Sequence, residues 1–222
     1  MSQQISQQIS QQMQRVVRDT LSTKGIRRTL ARGEILFRQG DIGNVAFLIE
    51  SGWVKINVEA GGREALIDVA GPGELIGEVA LADGGHRSGT VRILEDTKLY
   101  VVSHSALEAY AKTHPEMIWE LMGLLANRLR RANKINADMK NVDVPGRIAL
   151  RLLDLADLYG VPWEGGTLIR VPLTQEELGQ MVGASRESVN KAIGTFANRG
   201  WLKIEDGRYR LIDQPSLQRR AV

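Results

Sequence analysis

The sequence predicts an α+β chain: an N-terminal antiparallel β-roll of jelly-roll type, a long helix, and a C-terminal winged helix-turn-helix. Three observations carry that prediction. Short β-rich runs punctuated by glycine fill the first half, and thirteen of the 23 glycines lie between Gly25 and Gly89. Many short strands with regular glycine turns suggest an antiparallel roll. A heptad pattern follows in residues 116–139. Two short helical stretches then meet at Gly183, and a hairpin signal comes after them. The boundaries read as a Ser/Gln-rich segment at 1–24, the roll at 25–113, the long helix at 114–140, a hinge at 141–146 and the winged domain at 147–222.

The chain opens on a Ser-Gln-Gln repeat that places Ile5, Ile9, Met13 and Val17 four residues apart. That spacing aligns one helical stripe. It reads as a short amphipathic helix with a frayed start, against the alternative of a low-complexity tail. Strand runs follow at 46–49, 53–58, 65–69, 90–93 and 98–102, with turn signals at Gly40-Asp41, Ser51-Gly52, Gly61-Gly62 and Gly71-Pro72-Gly73. A short helix is expected at 105–112, and Pro115 suits the start of a long one. In that helix Ile118, Met122, Leu125, Leu129, Ala132, Asn136 and Met139 are spaced alternately 4 and 3 apart. This a/d pattern specifies a seam for a twin helix, against the alternative of a helix packed on its own domain, with Asn136 helping to fix register. Leu121 and Leu124 widen the stripe toward the roll. Residues 141–146 break the helix; 147–159 form an amphipathic helix on Ile148, Leu152, Leu155 and Leu158; a Gly/Pro loop and a strand at 167–171 follow.

The last module is the most specific. Thr174 and Glu177 form a capping box, each satisfying a free amide of the first turn. Gly183 tolerates the positive φ of a tight turn, and Ser185 caps a second helix at 186–198. Gly179 permits a close crossing and Val189 anchors the core. Such a helix-turn-helix points to double-stranded DNA, against the alternative of an ordinary αα corner. Its second helix presents Arg186, Glu187, Asn190 and Lys191 near the N-terminal end, where base edges are read. Glu187 and Lys191 could instead be a solvated i, i+4 pair. Thr174, Gln175 and Ser185 lie at the helix starts, which suit phosphate contacts. Two alternating runs flank Asp206-Gly207 and read as a wing, with Arg208 and Arg210 placed for the DNA backbone.

The roll carries a second constellation. Gly77 lets a backbone approach a ligand, Glu78 can accept from a ribose hydroxyl, and Arg87 with Ser88 offers a fork and a hydroxyl to a phosphate. A structural ion pair between Glu78 and Arg87 is the alternative.

Composition excludes much else. At roughly 150 residues per domain, 222 residues allow one large or two small domains. The absence of cysteine excludes disulfides and cysteine-ligated zinc or iron–sulfur clusters. His86, His104 and His114 are dispersed, which argues against a metal site and leaves haem sensing a poor alternative. No nucleophile–base pair, phosphate-loop lysine or paired-carboxylate site suggests an enzyme, so no catalytic residue is expected. A net charge of +3 is too small to argue nucleic-acid binding. No apolar run reaches the roughly 18 residues of a membrane span, and no secretory signal is visible, so a cytoplasmic location is expected.

The motif Gly77-Glu78-Val79-Ala80-Leu81 with Arg87-Ser88, the hinge from Asp143 to Arg147, and the run from Leu173 through Gly183-Ala184-Ser185-Arg186-Glu187 to Lys191 together resemble one family. They resemble the cyclic-AMP receptor protein/fumarate–nitrate regulator (CRP/FNR) family of transcription regulators, most of all actinobacterial cyclic-AMP receptor proteins. The resemblance runs from Gly33 to Ile212. It implies cyclic AMP as an allosteric effector, with Gly77 and Glu78 at the ribose edge, Arg87 and Ser88 at the cyclic phosphate, and Val79 among the ligand-binding residues. Arg128 is implied near the base, with Asn133 from a partner subunit. It implies a homodimer through residues 116–139, a TGTGA-like inverted repeat read by Arg186, Glu187 and Lys191, and RNA polymerase as a further partner. One position departs: Ala132 stands where the family has an adenine-contacting threonine. An alanine cannot make that hydrogen bond, so control without cyclic AMP, or by another small molecule, is the alternative.

Overall fold

The structure, a computed structural model, describes residues 26–221; the Ser-Gln-Gln repeat, read above as a helix, lies outside them. The glycine-punctuated runs pair into one antiparallel sheet. Its strands are β1 (Arg27–Leu30), β2 (Ile35–Phe37), β3 (Val45–Ala60), β4 (Arg63–Ala70), β5 (Leu75–Ile76) and β6 (Thr90–Ser103). Their path is β1-β6-β3-β4, with β2 added to β6 and β5 to β3. The runs at 46–49 and 53–58, expected as separate strands, belong to the single β3. Ser51-Gly52 is not a chain reversal: Gly52 has φ 89 where the register slips between Ile49 and Trp53. A bulge bends a strand without ending it. The runs at 90–93 and 98–102 merge in β6 for the same reason.

Alternation along β3 splits the core in two. Phe47, Ile49 and Val54 join Ile76, Ile93 and Leu99 in one cluster. Ala46 and Leu48 join Leu75, Leu81 and Val102 in the other. Against this second cluster lie Leu107 and Tyr110 of α2 (His104–Thr113) and Leu121 of α3 (Glu116–Asn141). Between β5 and β6 sits a short helix that sequence reading did not anticipate, α1 (Glu78–Asp83).

The chain forms two compact units that divide inside α3, between Leu129 and Arg130. In the second unit only two residues separate α4 (Val144–Tyr159) from the end of α3. Asp143 caps it by accepting the Gly146 amide at 2.9 Å. Proline is favoured in a first helical turn, where no amide is needed, so Pro145 begins α4 instead of breaking a helix. The expected six-residue hinge therefore shrinks to Val142 and Asp143. Ile148, Leu152 and Leu155 are fully buried as expected. The Gly/Pro stretch read as a loop contains β7 (Gly160–Trp163), which pairs with β8 (Gly166–Ile169). After α5 (Gln175–Val182) and α6 (Arg186–Asn198) come β9 (Leu202–Glu205) and β10 (Arg208–Leu211), completing the sheet β7-β8-β10-β9. A last helix, α7 (Gln214–Arg220), has Asp213 as its cap and Leu217 fully buried. It too was not anticipated.

Candidate ligand and nucleic-acid sites

In the first unit the short α1 begins at Gly77, whose φ of 77 and ψ of 12 are left-handed. A Cβ there would lie 2.5 Å from Arg87 Nη1. Glycine is required both by conformation and by space. Arg87 is 5% exposed. Its Nη1 donates to the Gly77 carbonyl at 2.8 Å and its Nη2 to the Val45 carbonyl at 2.7 Å. The guanidinium lies 4.3 Å above the Phe37 ring. Its Nε–H is buried and has no hydrogen-bond partner among the described residues. Burial, the largest influence, lowers the pKa of Arg87, while Asp41 and Glu78 oppose it. A buried cation that, among the described residues, donates to neutral carbonyls and keeps one donor free can receive an anion.

Glu78, 5% exposed, pairs with Arg128 Nη1, and Arg128 Nη2 donates to the Leu75 carbonyl at 2.8 Å. Burial works against the Arg128 charge, yet Glu78, Glu74 and Asp68 outweigh it and raise its pKa. Gly77, Glu78, Arg87 and Arg128 are thus brought together, with the carboxylate committed to Arg128. Ser88 and Val79 are exposed beside them on the chain. Ala132 and Asn133 are exposed on α3 in the second unit. Phe37 and the Val45 carbonyl were missed by sequence reading, because a phenylalanine in a strand and a main-chain oxygen carry no motif. The donor set suits a cyclic phosphate and a ribose.

In the second unit the capping box closes as expected: Glu177 N donates to Thr174 Oγ1 at 3.2 Å and Thr174 N to Glu177 Oε2 at 3.0 Å. Gly183 ends α5 at φ 61, and Ser185 caps α6 by accepting the Ser188 amide at 3.2 Å. Val189, Ile193 and Phe196 are buried, which turns Arg186, Glu187, Asn190 and Lys191 outward. Asn190 Nδ2 donates to Gln175 Oε1 at 3.0 Å, tying the two helices across the turn. Glu187 and Lys191 form no ion pair among the described residues, leaving both for a partner. The wing forms on Asp206 at φ 48 and Gly207 at φ 72. Two positive φ values in a two-residue loop match the twist of a hairpin. Arg210 is a correction: expected at the DNA backbone, it is 5% exposed and bonds Glu164 and Glu205, each at 2.8 Å. Two carboxylates cover it there, and only paired charge tolerates such burial. Arg208 Nε donates to the Arg170 carbonyl at 2.9 Å.

Residues 27–114 match the cyclic nucleotide-binding domain, and residues 146–220 match the Crp-like helix-turn-helix domain. The CRP-like cAMP-activated global transcriptional regulator of Mycobacterium tuberculosis is 40% identical over 191 residues, covering 86% of this chain and 85% of that protein. The chain belongs to the CRP/FNR family of transcription regulators. As a CRP/FNR regulator it is also similar to the cyclic AMP receptor protein of Thermus thermophilus, 33% identical over 82% of this chain and 81% of that one. Among solved structures FixK2 from Bradyrhizobium japonicum shares the CRP/FNR fold with a TM-score of 0.78 at 18% identity, covering 89% of this chain and 98% of that one. The M. tuberculosis relative is by name a transcriptional regulator. Among the described residues no helix is long and apolar enough to cross a membrane.

Proposed function

We propose that this CRP/FNR regulator is a homodimer whose affinity for a TGTGA-like inverted repeat is raised by cyclic AMP. The observation that carries the reading is the buried guanidinium of Arg87, held beside Gly77 with one donor free. Glu78 and Arg128 complete the site, with Val79 and Ser88 at its rim. The cAMP-activated regulator of M. tuberculosis supports the choice of effector. Dimerisation is supported by the apolar surface of α3: Ile118, Trp119, Met122 and Leu129 are 50%, 74%, 53% and 62% exposed. A twin helix is the partner a heptad seam specifies. The dimer would place two copies of α6 in successive major grooves about 34 Å apart. Arg186, Glu187, Asn190 and Lys191 would read bases, and Thr174, Gln175 and Ser185 would meet phosphates. RNA polymerase would be the partner on the promoter, in the cytoplasm.

A footprint on DNA carrying the inverted repeat, with cyclic AMP saturating, tests this. Protection of both half-sites is expected; protection of neither, or of one alone, would contradict the dimeric reading. Ala132 supports a second reading, in which another small molecule is the effector or none is needed. Ala132→Thr should then leave cyclic-AMP affinity unchanged, whereas a merely weakened cyclic-AMP site should gain roughly fivefold, about one hydrogen bond.

A further inference from the structure

The joint between α3 and α4 is only Val142 and Asp143, and an arginine from α7 reaches it. Arg220 Nη1 lies 3.0 Å from Asp143 Oδ1 and its Nη2 lies 2.6 Å from Oδ2. This is a bidentate fork, which fixes geometry as well as charge. The same Oδ1 accepts the Gly146 amide that opens α4, at 2.9 Å. One carboxylate therefore caps α4 and is gripped by α7 at once. A second arginine works from the other side. Arg147 Nη1 donates to the Met139 carbonyl at 3.1 Å and the Val142 carbonyl at 3.4 Å, at the end of α3. The space is close-fitting: a Cβ on Gly146 would lie 2.5 Å from Val142 Cγ1 and 3.4 Å from the Arg220 carbonyl.

The Asp143 side chain is 60% exposed. A fork in that setting adds little to global stability. What it does is set direction. α7 is anchored in the domain core by Leu217, so its grip joins the core to the joint. We propose that Arg220 is a positioning residue for DNA binding: by holding the Asp143 carboxylate it fixes the first turn of α4, and so the setting of the helix-turn-helix on the tail of the long helix. The proposal rests on the reading of the chain as a DNA-binding regulator. Without the fork the joint is looser, and DNA binding must also order it.

Three variants of the full chain test this. Arg220→Gln removes the fork. Asp143→Asn keeps a capping oxygen for Gly146 but loses the charge. Arg220→Lys retains the charge without the fork. Amide exchange at Gly146 and Arg147, and anisotropy of labelled palindromic DNA, are measured without and with cyclic AMP. In Arg220→Gln and Asp143→Asn exchange should quicken about tenfold and DNA affinity should fall roughly three- to tenfold, with Arg220→Lys between them and wild type. The double variant should be no worse than either single one, since both break one contact. A purely structural contact would lower the melting temperature and leave the affinity of the folded protein alone. Singles within twofold of wild type, or fully additive losses, would overturn the proposal. A wild type indifferent to cyclic AMP counts against the effector alone; the variant-to-wild-type ratio without ligand still decides for or against the clamp.

Discussion

Arg87 is a buried charge held by its neighbours in one setting. Its guanidinium rests on two carbonyls and an aromatic ring, with Nε unpartnered. Arg87→Gln should lower cyclic-AMP affinity roughly ten- to hundredfold by calorimetry, because a charge-assisted fork is lost. Arg87→Lys should lose less, since it keeps the charge. Gly77, Glu78 and Arg87 were legible in the sequence because glycine, carboxylate and guanidinium each carry a chemical meaning at close spacing. The partner of Glu78 was not: Arg128 lies fifty positions away and only the fold brings it there. Tyr209, 2% exposed, gives a second prediction at this scale. Burial, and then the charge of Glu177, pushes its pKa up to about 12. An unfolded tyrosine titrates near 10 and so loses its proton first. Stability is complete below pH 10 and declines toward pH 12 by up to roughly 2–3 kcal/mol. Urea unfolding of Tyr209→Phe should lack that part of the alkaline loss.

At the scale of elements, α3 bears the heaviest demand. Its 4–3 apolar spacing reads as a seam, and it is this stripe that the proposed dimer uses. Leu129→Glu should dissociate the proposed dimer, measured by sedimentation, while circular dichroism of the roll and winged domain stays native. A protein that remains dimeric would move the interface elsewhere. The strands were legible in place but not in length. Glycine reads the same in sequence whether it turns the chain back, as at Gly61-Gly62, or kinks a continuing strand, as at Gly52. α1 and α7 escaped notice for a different reason: at six and seven residues they are too short to show a period. The helix-turn-helix was legible almost to the residue, because its caps and its turn are written in side-chain chemistry at fixed positions.

For the whole molecule, the central claim is coupling between the roll and the DNA-reading helix. A ligand shifts such an equilibrium only by its difference in affinity between the two states. Typical couplings of 1–3 kcal/mol correspond to about 5- to 150-fold. The net charge of +3 contributes almost nothing to this account. A few outward-facing side chains on α6 and one inward-facing arginine in the roll carry it. The most direct measurement is the affinity of this chain for a palindromic TGTGA site, followed by fluorescence anisotropy as cyclic AMP is titrated. The account predicts that affinity rises by about tenfold or more and that Arg87→Gln abolishes the rise. An affinity that stays flat through millimolar cyclic AMP would contradict it.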